Sequence, residues 1–150
     1  MLSVERLGVV LAPKDKEHAK FNAGMVKQGD KVHMLYRWSK STGIWTGEKT
    51  GIRYAEDFVS YAELTPEGKL VSDLDDKGFI KYYIEDPKTP LYSQDPRIVE
   101  FEGEYIIFFV RWDLDLCKGG MARTKDFKKV EPIGIIPTTD WDKDAFILPE

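Results

Sequence analysis

Apolar positions along the chain fall in short runs separated by turn-forming residues, which is a pattern of strands. Met25-Val26, the turn Lys27-Gln28-Gly29-Asp30 and then Val32 to Trp38 predict one hairpin. Ile98 to Phe101, the turn Glu102-Gly103-Glu104 and then Tyr105 to Arg111 predict a second. Further turns are predicted at Thr65-Pro66-Glu67-Gly68 and Lys118-Gly119-Gly120. Tyr105-Ile106-Ile107-Phe108-Phe109-Val110 is apolar on both parities, so this strand must be covered on both faces. Stacked sheets provide such cover, and so do propeller blades, each of which packs between two neighbours. One segment departs from the strand pattern. Between Tyr54 and Leu64, Tyr54, Ala55, Phe58, Val59 and Ala62 follow a helical period.

The two hairpins share landmarks. Gly29 is followed eight and nine residues later by Arg37-Trp38, and Gly103 at the same offsets by Arg111-Trp112. Each hairpin follows a short polar motif, Phe21-Asn22-Ala23-Gly24 or Gln94-Asp95-Pro96-Arg97. Each precedes a segment opened by glycine and containing alanine, Gly51-Ile52-Arg53-Tyr54-Ala55 or Gly120-Met121-Ala122-Arg123. A third unit begins at Asp142-Lys143-Asp144-Ala145-Phe146-Ile147-Leu148-Pro149-Glu150. These landmarks predict strand-rich repeats offset by 74 residues, Gly29 to Gly103. The repeat tips the Tyr54 segment towards strand, against its helical period.

Composition narrows the function classes. The chain has 150 residues, which suits one domain, and 42% of them are hydrophobic, enough for a packed core. Its net charge is −4 and it contains no Lys/Arg run, which argues against nucleic-acid binding. One cysteine, Cys117, and two histidines, His18 and His33, leave no basis for an intramolecular disulfide or for a Cys/His metal centre. No apolar stretch approaches the ~18 residues of a membrane span. The run Leu7 to Pro13 is short for a signal core, and Glu5 interrupts its approach. The expectation is a cytoplasmic protein.

The ordered motifs resemble glycoside hydrolase family 130, the β-mannoside phosphorylases and related five-bladed β-propeller glycosidases. The pieces are Phe21-Asn22-Ala23-Gly24, the strand end Leu35-Tyr36-Arg37, Asp95-Pro96-Arg97-Ile98, Ala122-Arg123-Thr124-Lys125-Asp126-Phe127 and Lys143-Asp144-Ala145-Phe146-Ile147-Leu148-Pro149-Glu150. They run in family order across nearly the whole chain. The family usually has an acidic or aromatic residue before Asp-Pro-Arg, where this chain has Gln94. The resemblance implies an all-β fold, a partial five-bladed propeller of about two and a half blades. Five units at this offset need about 350 residues, and repeat folds need about three units or more. Residues 1–150 are therefore expected to be the N-terminal part of a longer propeller, one that forms homo-oligomers or needs a C-terminal half.

Glycoside cleavage needs an acid for the leaving oxygen and a nucleophile on the opposite face of the sugar. The resemblance assigns the acid to Asp95. An aspartate before proline is biased towards extended backbone, and the plainer reading is a turn residue that caps local backbone. Asn22 resembles the family asparagine at the sugar, where an amide both donates to and accepts from vicinal hydroxyls; otherwise it is a turn residue before Gly24. Arg37 resembles the sugar-binding arginine, with a rigid fork of donors. Arg111 at the matching offset suggests instead an arginine that is structural in every blade. Lys143 and Asp144 stand where the phosphorylases often have a phosphate-binding arginine and a sugar-binding asparagine. A lysine holds phosphate as a point charge, so phosphate-binding Lys143 and substrate-binding Asp144 leave phosphorolysis against hydrolysis open. A charge cluster in solvent is the plainer reading of both. Arg97 could orient Asp95, but an arginine there more often makes a structural ion pair. Trp38, Trp45, Trp112 and Trp141 are more often core than sugar platforms. His33 reads as a packing histidine, and Cys117 lacks a histidine partner at a suggestive spacing.

The implied activity is cleavage of β-mannosides with inversion, by phosphate and with release of mannose 1-phosphate. The substrate is an oligosaccharide, the co-substrate inorganic phosphate, with no other cofactor. An inverting hydrolase is one alternative, and a non-catalytic carbohydrate-binding half-propeller another. The arabinanase and xylosidase propellers rank lower, because they need an additional carboxylate base in an early blade and Asp15, Glu56 and Asp57 sit in no convincing motif.

Overall fold

A computed structural model describes residues 8–41, 54–80, 92–113, 116–137 and 145. The described strands form two four-stranded antiparallel sheets, each a meander in sequence order. The first holds β1 (His18–Gln28), β2 (Lys31–Ser41), β3 (Tyr54–Leu64) and β4 (Leu70–Asp73). The second holds β5 (Tyr92–Phe101), β6 (Glu104–Asp113), β7 (Leu116–Thr124) and β8 (Glu131–Ile135). They are two blades of a partial β-propeller. A short 3-10 turn, Asp75–Lys77, follows β4. The helical period over Tyr54–Leu64 loses to the repeat: the segment is β3 and pairs with β2 along its length. The third unit, at residues 142–150, lies outside the described residues apart from Ala145.

The core explains the doubly apolar strand. Tyr105, Ile106, Ile107, Phe108, Phe109 and Val110 are all buried. Tyr105, Ile107 and Phe109 pack with Leu35, Val59, Tyr61 and Ile80 of the first blade, and with Ala122 and Phe127. The other face of the first blade carries Met34, Tyr36, Trp38, Phe58, Ala62 and Leu64. Trp38 stacks on Phe58 with centroids 4.6 Å apart, so it is core. The side chains of Trp45, Trp112 and Trp141 lie outside the described residues.

Three sequence landmarks are corrected. The Gly29/Gly103 alignment is one residue out of step. Gln28 pairs with Lys31 and Phe101 with Glu104, so Glu102, not Gly103, occupies the place of Gly29. Arg37 pairs with Phe21, and the corresponding pair of the second blade is Gln94 with Val110. The counterpart of Arg37 is therefore Val110, and Arg111 corresponds to Trp38. A slip of one residue on a strand exchanges its two faces. Arg37 therefore has no arginine counterpart in the second blade.

The second correction concerns alanine. Ala62 lies opposite Met34 as Ala122 lies opposite Ile107, so Ala62, not Ala55, matches Ala122. The third concerns Lys118-Gly119-Gly120, which is not a turn but the middle of β7. A Cβ on Gly120 would fall 2.5 Å from the Phe109 ring, and one on Gly119 2.8 Å from Ile136. These glycines admit close neighbours within a strand.

His33 lies where the blades meet. Its ring stacks on Phe127 at 3.9 Å, and its nitrogens contact the Tyr61 hydroxyl at 2.8 Å and Gln28 Oε1 at 3.2 Å. Burial holds its pKa below the usual histidine value; Glu63 opposes this and Lys31 adds to it. Below about pH 6.5 the unfolded chain then binds a proton that the folded chain does not. Stability is present above the unfolded value and declines as pH falls through it. We expect the melting temperature to drop between pH 7.5 and 5.5, and His33→Gln to flatten that drop. An unchanged slope in the variant would assign the titration to another group.

Candidate active site

β1 and β5 are the first strands of their sheets and lie side by side. Each contains a bulge in which two residues oppose one. Asn22-Ala23 sit opposite Tyr36, and Asp95-Pro96 opposite Phe109. Asn22 and Asp95 both have φ 51. The expectation of extended backbone at Asp95 is thus wrong. Left-handed backbone suits Asn and Asp better than other residues with a Cβ, because their short polar groups bond locally. Pro96, which has no N–H to give a ladder, is tolerated at a bulge on an edge strand. A bulge re-aims a side chain out of the strand alternation. Here two bulges at equivalent places aim an amide and a carboxyl at each other.

The result is direct contact. Asn22 Nδ2 donates to Asp95 Oδ1 at 2.6 Å. Arg37 Nη1 reaches the same oxygen at 3.4 Å. Both charged side chains keep a little solvent contact, 12% for Arg37 and 15% for Asp95. Asn22, Arg37 and Asp95, distant in the chain, thus form one cluster. Lys143 and Asp144 lie outside the described residues. Arg97 turns to backbone, with Nη1 donating to Pro96 O at 3.1 Å and to Asp95 O at 3.4 Å.

Three neighbours were not legible as site residues. Asp57, on β3, is buried. It accepts from Arg37 Nε at 2.9 and 3.1 Å, Arg37 Nη2 at 2.5 Å, Ser39 Oγ at 2.9 Å and Gln94 Nε2 at 2.6 Å. Burial pushes its pKa up; the Arg37 guanidinium is the largest opposing influence and Ser39 also opposes it, while Asp95 adds to the rise. Gln94 is the residue at which this chain departs from the family pattern, and the departure places an amide donor against Asp57. Phe21 lies under Arg37, with the guanidinium 4.8 Å from the ring centroid. The one signal available in sequence was position, since Phe21 adjoins Asn22.

Two other polar groups stand apart. Lys20 bridges Asp73 at 2.7 Å and Asp75 at 2.8 Å, and the Tyr36 hydroxyl donates to Asp73 at 2.5 Å. Tyr36 and Trp38 belong to the second apolar cluster of the first blade, and Trp38 Nε1 donates to Asp75 at 3.0 Å, so this network borders that cluster. A cleft lined by Glu104, Arg123, Thr124, Lys125, Asp126, Lys129 and Glu131 lies at the β5–β6 turn, about 17 Å along the strand from the Asp95 bulge. Its charges pair with one another, Lys125 with Glu104 at 3.0 Å and Arg123 with Glu131 at 3.2 Å; of these four only Glu104 is half-buried and the others are exposed. Among the described residues no group of three His, Cys, Asp or Glu could hold a metal ion, and no helix is long and apolar enough to cross a membrane.

No family model matches the chain, and no curated protein sequence matches it. Solved structures do. The β-1,2-mannobiose phosphorylase of Listeria innocua superposes with TM-score 0.63 at 14% identity, over 86% of this chain and 48% of that one. A glycosyl hydrolase of Bacteroides ovatus gives 0.65 at 16% identity, over 88% of this chain and 40% of that one. A family 117 glycoside hydrolase of Zobellia galactanivorans gives 0.58 at 15% identity, over 87% and 44%. The chain thus spans less than half the length of these neighbours, and at such identity the likeness is one of fold: these residues build two blades of a propeller of the kind found in glycoside hydrolases and a mannoside phosphorylase.

Proposed function

We propose that the chain is part of a glycosidase that cleaves β-mannosides with inversion, by phosphorolysis, with Asp95 as the general acid. One observation carries this reading: Asn22, Arg37 and Asp95 meet where the first strands of two blades adjoin. The Asp95 carboxyl protonates the departing glycosidic oxygen. Asn22 and Arg37 supply the donors that hold sugar hydroxyls around it. Asp57, which shares Arg37 with Asp95, has both oxygens engaged, so it is no base for an attacking water. The choice of inorganic phosphate, a nucleophile already anionic, rests on the family resemblance. Lys143 and Asp144 enter by resemblance, as phosphate and sugar ligands. The reading includes completion of the ring by a second copy or a further half-propeller.

The test is incubation of the full chain with β-1,2- and β-1,4-mannobiose, with and without phosphate. Release of mannose 1-phosphate only when phosphate is present is the expected result. Mannose release independent of phosphate would make the protein a hydrolase. Binding without turnover would make it a carbohydrate-binding module.

A further inference from the structure

The geometry points to Asp57 as the positioning residue of this cluster, the buried carboxylate that fixes Arg37 so that its Nη1 faces Asp95. Three observations meet in it. Arg37 spends Nε and Nη2 on Asp57, leaving the Nη1 end of the fork on the Asp95 side. Such two-point pairing sets the plane of the guanidinium as well as its place. The Phe21 ring then closes one face of that plane. Asp57 itself is held on both oxygens, Oδ1 by Ser39 and Oδ2 by Gln94. Gln94 immediately precedes Asp95, so one carboxylate ties β2 and β3 of the first blade to the bulge of the second.

A glutamate at position 94 would set a second carboxylate against Asp57 and compete with it for Arg37. The amide instead donates to Asp57, and brings no further carboxylate to the guanidinium. The family departure at Gln94 is thus part of the same device. What Arg37 holds rests on the carbohydrate reading above; how Arg37 is held does not.

The experiment is side-chain NMR of the full chain, following exchange of the Arg37 Hε with water and its shift on adding mannose. In the unmodified protein the Arg37 Hε should exchange at least about tenfold more slowly than that of exposed Arg123, since it is donated to a buried acceptor. Asp57→Asn keeps the volume but offers one acceptor in place of two. Its Arg37 Hε should exchange at least about tenfold faster, and mannose affinity should fall about tenfold to a hundredfold, the range for losing a bond to a charged group. Ser39→Ala, a milder change that loosens only Oδ1, should give an intermediate rate. Equal rates for Arg37 and Arg123 in the unmodified protein would overturn the proposal without any variant. So would a folded Asp57→Asn or Ser39→Ala with an unchanged Arg37 signal. Slow exchange with no mannose shift would leave the positioning role intact and refute the sugar reading instead.

Discussion

Asp95→Asn is expected to lower phosphate-dependent mannobiose cleavage by about 10²–10⁴-fold, the usual contribution of a general acid. The substitution suits this site because it changes little else. Asparagine tolerates the left-handed backbone that Asp95 adopts at φ 51. Its Oδ1 still accepts from Asn22 Nδ2 and faces Arg37 Nη1. What disappears is a proton that can pass to the leaving oxygen. Melting temperature and mannose affinity should therefore stay near those of the unmodified chain while turnover collapses, a loss in kcat with little change in binding. Asp95→Ala is the contrasting variant. It removes the acid and also the side chain that suits the bulge, so stability should fall with turnover. Retention of cleavage by Asp95→Asn would remove Asp95 from the chemistry.

Elements set by local pattern were legible, and those set by distant partners were not. The hairpins could be read from apolar runs and turn residues, and Tyr105 to Val110 announced its double cover by being apolar on both parities. Asn22, Arg37 and Asp95 were found through motifs, and the structure brings them together. Gly119 and Gly120 misled because glycine carries two meanings, freedom of the backbone and absence of a Cβ. Only the Phe109 ring at Gly120, distant by strand pairing, selects the second. Asp57, weighed in sequence only as a base and set aside for want of a motif, was misjudged for a related reason. A buried aspartate looks like any strand aspartate until Arg37, Ser39 and Gln94 converge on it.

The repeat landmarks show how a correct inference can rest on a faulty alignment. Two blades exist, but their true offset is that of Asn22 to Asp95, 73 residues. Glycine can stand at either place of a two-residue hairpin turn, so Gly29 and Gly103 do not mark the same position. The bulges are better markers, since each must hold a left-handed residue at a fixed step from its turn. Measured from the bulges, the second blade has Val110 where the first has Arg37. A cation present in one blade and replaced by an apolar residue in the next is not there for the blade. It belongs to the place where the blades meet.

Gly24→Ala should damage both stability and function, because Gly24 sets the distance between β1 and β5. A Cβ there would lie 2.7 Å from Pro96 O and 3.4 Å from Arg97 Cα. Both atoms are backbone, so no side chain can swing aside and the strands must part. Overpacking of this kind costs about 1–3 kcal/mol. Parting the strands also draws Asn22 away from Asp95, whose contact spans only 2.6 Å. The damage to catalysis should then exceed what lost stability explains. Ile107→Val provides the comparison, since it removes one methylene from the interface between blades and costs about 0.5–1.5 kcal/mol without touching the bulges. Both variants should melt several degrees below the unmodified chain. At 25 °C, where both remain folded, Ile107→Val should keep its mannose affinity and turnover while Gly24→Ala loses at least about tenfold in each, since reacting groups tolerate little misplacement. If Gly24→Ala melts and turns over as the unmodified protein does, β1 and β5 do not approach as closely as the 2.7 Å contact requires, and the pairing of the two bulges cannot be what assembles the site.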